Sequence, residues 1–231
     1  MITILVGMSA SGKDTIAREL RQDGFIPLLS CTTRPMREGE HEGVDYHFLS
    51  TEEFLRRKAE GKFLEFRAYD VFENGQPSKW YYATPKEELD PAKDYIRIVD
   101  PDGCKSLLEH YGRENCFVVN VIADDHLRAL RAKERGGFNQ QEWDRRFADD
   151  QKKFAASIME PLVNLYCYND LRNVASLSDV VKDIRQALCS YKETEKVPGK
   201  HYLVSFRLGG FQTYENPYRY SWSKPEEDME R

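Results

Sequence analysis

The sequence is short of almost everything that marks disulfide-rich, metal-bearing or membrane proteins. Its 231 residues include five cysteines (Cys31, Cys104, Cys116, Cys167, Cys189), widely spaced and without a CxxC pair. Structural zinc and dithiol redox sites need closely spaced thiols, so free thiols of a cytoplasmic protein are the expectation. The five histidines are equally scattered and suggest no metal site. No apolar run approaches the length of a membrane span. A secretory leader is missing as well, because the apolar start Ile2–Val6 runs straight into glycine, serine and lysine. Basic excess is also lacking: a net charge of -5 and a pI near 5.7 argue against non-specific nucleic-acid binding, which wants a basic face. A membrane and a nucleic acid are therefore excluded as expected partners, and no internal repeat is visible.

What is present is a chain with 40% hydrophobic and 32% charged residues. A globular chain of this length buries roughly 70% of the surface its unfolded form exposes, enough for a true core. Ile2-Thr3-Ile4-Leu5-Val6 reads as a buried strand, apolar almost throughout, as parallel strands between helices are. A helix is expected over residues 13–22 and a second strand over residues 25–29. Residues 34–47, rich in Arg, Gly and Glu, read as an irregular loop. A helix follows over residues 51–61, with Thr51 as its N-cap and Gly61 as its stop. Residues 63–69 and 80–84 suggest a hairpin around the turn-like Glu73-Asn74-Gly75-Gln76-Pro77. Strands at residues 95–99 and 116–122 flank a helix at residues 104–111. Helices at 125–133 and 140–156 are parted by Gly136-Gly137, and residues 177–188 form a last amphipathic helix. Alternating strands and helices imply an α/β fold with a parallel sheet covered on both faces.

Chemistry enters at Gly7-Met8-Ser9-Ala10-Ser11-Gly12-Lys13-Asp14, a Walker A loop except at its last position, where Ser or Thr is usual. A buried strand precedes it and a helix follows it, as phosphate binding requires. Small residues let backbone N–H groups wrap the β-phosphate of ATP, and the helix N-terminus adds a favourable dipole. Lys13 would reach the β- and γ-phosphates. Gly7, Ser9, Ala10, Ser11, Gly12, Lys13, Asp14 and Thr15 are thus the candidate ATP-binding residues. Asp14 replaces the hydroxyl that usually helps to hold Mg²⁺. It would hold the ion through water beside the Thr15 hydroxyl, or it simply suits a helix N-terminus.

The segment Ser30-Cys31-Thr32-Thr33-Arg34-Pro35-Met36-Arg37-Glu38-Gly39-Glu40, continuing through Gly43-Val44-Asp45-Tyr46-His47-Phe48, closely resembles the GMP-binding segment of guanylate kinases. Phe63-Leu64-Glu65-Phe66 with Tyr81-Tyr82-Ala83-Thr84 resembles a second family pair. Arg131, Arg135 and Arg146 fall at the family's lid arginines, and Asn169-Asp170 is similar to the Asn-Asp after its last core strand. The resemblance covers residues 2–188. It implies a P-loop core of three layers around a parallel sheet (residues 1–33 and 91–189), with a helical lid at about 131–146. A GMP-binding subdomain would be inserted at residues 34–90.

The implied activity is transfer of the terminal phosphoryl group of ATP to GMP or dGMP, with Mg²⁺. Lys13, Arg131, Arg135 and Arg146 would offset charge on the transferred group, and Asn169 would approach the adenine. A dianionic acceptor phosphate suits forked guanidinium groups, so Arg34 and Arg37 with the hydroxyls of Tyr46 and Tyr82 form its expected clamp. Guanine presents two N–H donors on one edge, which a single carboxylate accepts, so Glu65 is the expected base reader. Ser30 and Thr84 would donate to the neighbouring carbonyl. Asp100, at the carboxyl end of a strand, would lie near the substrates.

The chain also departs from the family pattern. Ile98 stands where a first acid precedes Asp100, Ala83 replaces a glycine, and residues 70–79 look inserted. These changes leave a modified guanine nucleotide open as substrate. Another kinase of the same fold is the first alternative. A non-catalytic scaffold module is the second, although such modules tend to lose the phosphate cradle that this chain keeps. Residues 190–231 have no counterpart in the family pattern. Residues 201–208 alternate like a half-buried strand, Gly209-Gly210 suggests a turn, and residues 211–214 would return. That extension is expected to pack on the chain or on a second copy, making a homo-oligomer.

Overall fold

A computed structural model describes residues 1–37, 39–73, 76–134, 138–169 and 177–193, together with the backbone strands at 201–205 and 210–214. In chain order the elements are β1 (Ile2–Val6), α1 (Lys13–Gln22), β2 (Ile26–Pro27), β3 (Cys31–Thr32), β4 (His47–Phe48), α2 (Thr51–Ala59), β5 (Phe63–Glu73), β6 (Gln76–Pro85), β7 (Tyr95–Ile98) and α3 (Pro101–Tyr111). They continue as β8 (Cys116–Ile122), α4 (Asp125–Glu134), α5 (Gln140–Lys153), α6 (Ala156–Met159), β9 (Leu165–Tyr168), α7 (Leu177–Glu193), β10 (His201–Ser205) and β11 (Gly210–Tyr214). The chain divides into two compact units, residues 1–6 with 17–117 and residues 7–16 with 118–231.

The first unit contains a parallel trio, with β7 paired to β1 on one side and to β2 on the other. Every residue of β1 is buried, as its unbroken apolar sequence requires. A four-stranded sheet in the order β4-β3-β6-β5 accompanies the trio. Its core is Cys31, Phe54, Phe63 and Ala83, closed by Leu49 and Tyr81. The expected hairpin is present but longer. The residues that looked inserted pair across it, Asp70 with Lys79 and Val71 with Ser78. Extra residues therefore lengthen two strands rather than forming a loop.

Helix boundaries follow local chemistry. Ser50, not Thr51, caps α2: its Oγ accepts the Glu53 N–H at 3.1 Å while its own backbone stays extended. Ser50 and Glu53 have the spacing of a capping box, a signal that favours the serine. At the other end Gly61 takes φ +66°. Its N–H donates to Lys58 O and that of Lys62 to Arg57 O, which is the paired bonding of a glycine C-cap. α3 begins at Pro101, three residues before the expected Cys104, because Asp100 caps it and proline suits a first helical position. The second strand is only Ile26–Pro27, and α5 stops at Lys153, with α6 a separate turn.

In the second unit β8, β9 and β10 are parallel, and β11 runs antiparallel to β10. α7 covers β9 with Val180, Val181, Ile184, Ala187, Leu188 and Tyr191 buried. Of the expected strand, turn and returning strand of the C-terminal extension, the two strands are seen as β10 and β11, with Gly210 already in β11; residues 206–209 lie outside the described residues, and β10 extends the sheet of its own chain. The α/β class with a parallel sheet is established.

Candidate active site

The phosphate loop lies in the second unit, between the end of β1 and the start of α1. Gly7 has φ +151° and Gly12 φ +100°. A Cβ at Gly7 would collide with Val121 O, and one at Gly12 with Asn169 Nδ2, so both glycines are demanded by close approach as well as by φ. Ala10 also takes a positive φ of 60°, unusual for a residue with a Cβ. Lys13 Nζ folds back over the loop, donating to Gly7 O at 2.7 Å and Met8 O at 2.8 Å. Asp14 is exposed and Thr15 half-buried at the first turn of α1.

Four side chains from the rest of the unit hold this loop. Arg131 donates to Ser11 O at 3.2 Å and to Asn169 O at 3.0 Å. Asn169 Nδ2 donates to Ser11 O at 2.8 Å, and its own N–H donates to Ile122 O. Arg128 is wholly buried, with Nε donating to Ser9 O at 2.8 Å and Nη2 to Asp150 at 2.9 Å. The same Asp150 oxygen accepts the Ser9 N–H at 2.6 Å. Arg128 also pairs with Asp125 at 2.6 Å and lies 5.5 Å from the Phe147 ring centre. Sequence reasoning singled out neither Arg128 nor Asp150. Arg128 precedes Arg131 by three positions and so shares its helix face, a usable signal; Asp150 offers none, because its partners are distant in sequence. Arg146 stands on the exposed face of α5, paired with Glu142 at 2.6 Å and not brought to the loop. Arg135 and Asp170 lie outside the described residues.

The residues expected to hold the acceptor lie in the first unit. Arg34 is 4% exposed. Its guanidinium donates to Glu40 at 2.8 Å and lies 5.6 Å from the Tyr46 ring centre and 5.8 Å from that of Phe48. The hydrogen bond to Glu40 raises the Arg34 pKa, and Arg34 in turn holds the Glu40 carboxyl below its ordinary range. Tyr82 hydrogen-bonds to Arg34 and packs edge-on against Tyr46 at 6.2 Å. Arg37 is exposed, its N–H donating to Glu40 at 2.8 Å.

Glu65 and Thr84 face each other across β5 and β6, with Thr84 Oγ1 donating to Glu65 Oε1 at 3.3 Å. Gly103 leaves room for that carboxylate; an added Cβ would stand 3.0 Å from it. Asp100 is engaged twice, as the cap of α3 and as partner of Arg67 at 2.5 Å. Arg67 comes within 3.8 Å of Glu65 and within 3.9 Å of Asp102, so it balances three acids. Arg97 on β7 is buried and donates to Ser30 Oγ at 2.8 Å, Thr84 Oγ1 at 2.9 Å and Leu28 O. Sequence reasoning missed Arg67 and Arg97. A lone arginine inside an apolar strand pattern was the signal for Arg97.

The family model described as guanylate kinase matches residues 1–107. A guanylate kinase of Clostridium tetani is 31% identical over 201 residues, 85% of this chain and 86% of that protein. One from Symbiobacterium thermophilum is 40% identical over 117 residues, 48% of this chain and 52% of its own length. The chain thus spans about half of the latter relative and most of the former. In fold it resembles the crystal structure of guanylate kinase from Anaplasma phagocytophilum, with a TM-score of 0.55 at 20% identity over 84% of this chain and 87% of that one. A glycine-bearing loop between strand and helix, a buried arginine beside two tyrosines, and similarity over most of both chains to the Clostridium tetani protein lead to one assignment: the chain belongs to the guanylate kinase family.

Proposed function

We propose that the chain transfers the γ-phosphoryl group of ATP to GMP or dGMP, giving ADP and GDP or dGDP. The observation that carries this reading is the pairing of a carboxylate, Glu65, with a hydroxyl donor, Thr84, on adjoining strands of the unit that also holds Arg34. Guanine offers two N–H donors beside a carbonyl. Glu65, held by Thr84, accepts the donors, and the Ser30 hydroxyl meets the carbonyl. Adenine would turn an acceptor towards Glu65 and leave buried polar groups unpaired, at a cost of about 1–3 kcal/mol per group.

Arg34, with Arg37, Tyr46 and Tyr82, clamps the acceptor phosphate. Glu40 keeps the Arg34 fork in place by its 2.8 Å bond, so the fork is ordered before substrate arrives. On the donor side the Ser9–Thr15 amides and Lys13 take the ATP phosphates, and Arg131, Arg135 and Arg146 offset charge on the group in transfer. Lys13 must leave the Gly7 and Met8 carbonyls to do so, exchanging two neutral acceptors for phosphate oxygens. Phosphoryl transfer depends on such positioning and charge neutralisation, with little covalent work for the protein. Asn169 braces Ser11 and so keeps the loop in shape, besides any contact with adenine.

Mg²⁺ is held largely by phosphate oxygens and water, and needs few protein ligands. Asp14, exposed at the first turn of α1, fits that role through a water molecule. When bound with ATP the ion supplies neutralisation of phosphate charge. No helix among the described residues is long and apolar enough to cross a membrane. Residues 34–90 would act as the GMP-binding subdomain and residues 131–146 as the lid. Self-association through the extension would use β11, the end strand of its sheet.

An assay of ADP release with ATP, Mg²⁺ and each nucleoside monophosphate in turn tests the reading. GMP and dGMP should be turned over far faster than AMP, CMP or UMP. Equal turnover of AMP would remove Glu65 as a guanine reader.

A further inference from the structure

Arg97 is a buried cation of the first unit that the proposed transfer does not use. It sits on β7 between β1 and β2, in register with Ile4, and is 4% exposed. Among the described residues no carboxylate is in ion-pair contact with it. Its Nη1 goes to Leu28 O, both bonds of its Nη2 go to hydroxyls, Ser30 Oγ and Thr84 Oγ1, and its Nε has no partner among the described residues. Burial pulls its pKa below that of an ordinary arginine, with Glu87, Glu65, Cys31 and Tyr46 the groups that oppose the shift. Keeping such a group in a strand interior is costly, and packing alone would be served as well by an apolar side chain.

What the guanidinium does to the two hydroxyls is definite. Each hydroxyl has one hydrogen and two lone pairs. A lone pair of each faces Arg97, so the hydrogens must point elsewhere. That of Thr84 goes to Glu65 Oε1 at 3.3 Å. That of Ser30 is directed away from the cation, and the Ser30 backbone is pinned by its carbonyl, which accepts the His47 N–H at 2.8 Å. The cation also makes the surroundings of both oxygens electropositive, which attracts a carbonyl and repels an amino group.

We propose that Arg97 is a positioning residue that fixes Ser30 as a hydrogen-bond donor, while holding Thr84 to Glu65, and so makes the acceptor site select a 6-oxo purine over a 6-amino one. The inference rests on the guanine reading of Glu65 and adds a second, separable discriminator. Glu65 reads the ring N–H and the 2-amino group, while Arg97, acting through the Ser30 hydroxyl, reads the 6-position. Arg67, bonded to Asp100, completes the charge balance around Glu65.

The test uses the whole chain and three acceptors: GMP, 6-thio-GMP, whose sulfur is a poor acceptor but whose other edge is unchanged, and IMP, which lacks only the 2-amino group. AMP serves as a control. Arg97→Met fills similar volume without donors. It should cut the preference for GMP over 6-thio-GMP by about 10- to 100-fold, the range of a charge-assisted hydrogen bond. It should do so mainly through KM of the acceptor, leaving the preference for GMP over IMP as in the parent. Arg97→Lys should restore part of the lost preference.

Ser30→Ala, which strands no substrate-side donor of its own, covers the case in which Arg97→Met does not fold. It should flatten the same preference, and the double variant should lose no more than the larger single loss. Unchanged selectivity for GMP over 6-thio-GMP in both Arg97→Met and Ser30→Ala, with the parent preferring GMP to AMP, overturns the role of Arg97 alone. A parent that does not distinguish GMP from AMP overturns both this role and the guanine reading.

Discussion

Replacing Asp150 by alanine should destabilise the second unit through the phosphate loop. The Asp150 carboxylate oxygen accepts two bonds, from the Ser9 N–H at 2.6 Å and from Arg128 at 2.9 Å. The Arg128 side chain is 0% exposed and that of Asp150 12%, so neither bond is replaced by bulk water when the carboxylate is removed. Breaking a buried ion pair from one side costs about 3–5 kcal/mol, and stranding a buried N–H adds about 1–3 kcal/mol. Against this, Arg128 keeps Asp125 at 2.6 Å and Ser9 O at 2.8 Å, and Asp125 is half open to solvent. A net loss of about 3 kcal/mol is expected. In a chain of this size that lowers Tm by about 6–12 °C.

Asp150→Asn keeps an acceptor for Ser9 and should cost about half as much. Because Ser9 belongs to the cradle, Asp150→Ala should also raise KM for ATP while leaving GMP affinity as it is. Thermal unfolding with and without ATP, together with a double-mutant cycle to Arg128→Met, would measure the coupling. A loss below about 0.5 kcal/mol for Asp150→Ala, the size of an ordinary surface change, would refute the reasoning.

Glu65→Gln should lower GMP turnover by at least about tenfold, since one guanine donor then faces an amide N–H; steady-state rates with GMP check this. Lys13→Ala and Arg34→Ala should both nearly abolish transfer, and binding measurements should assign the first loss to ATP and the second to GMP. Burial pushes the Cys104 and Cys116 thiols up to about 12 from an ordinary 9.0. Folding favours their protonated forms, so their contribution is full below pH 9 and falls as pH rises towards 12. Alkaline titration of stability should therefore show a decline of up to about 1.4 kcal/mol per pH unit per thiol. Cys189 is the exposed thiol and the other four are buried, so a thiol reagent should modify one cysteine quickly and the rest only on unfolding. Removing residues 194–231 should lower stability and solubility while the folded fraction still phosphorylates GMP; a truncated protein as stable as the parent would show that β10 contributes nothing.

Local chemistry made much of this legible in advance. β1 was evident because a fully buried parallel strand has no polar alternation to confuse it. The loop was evident because only glycine tolerates the approach of Val121 and Asn169. The two-residue strands β3 and β4 were not foreseen, since pairs as short as Cys31–Thr32 and His47–Phe48 carry no period. Ser50 was passed over for Thr51 because both are good caps and only the geometry of Glu53 decides. The deeper omission concerned Arg67, Arg97, Arg128 and Asp150. Each draws its meaning from partners far along the chain, so composition and spacing pointed to the groups expected to meet nucleotide but not to those that hold them in place.

The strand order at the edge of the second unit has a consequence for the nascent chain. β9, with Leu165, Tyr166 and Cys167 all buried, finds β8 already synthesised on one side, but its other neighbour is β10, which leaves the ribosome only after α7 has been made. For that interval β9 offers an apolar strand edge with unpaired amides, the kind of surface that recruits other chains. Translation speed across residues 169–205, or a chaperone that shields the edge meanwhile, should then govern the yield of usable protein, and slow codons placed there would be harmful. The closing strand β11 runs the opposite way to β10 and follows it closely in the chain, so the finished edge comes from a local antiparallel pairing that forms quickly, and the hazardous interval ends abruptly.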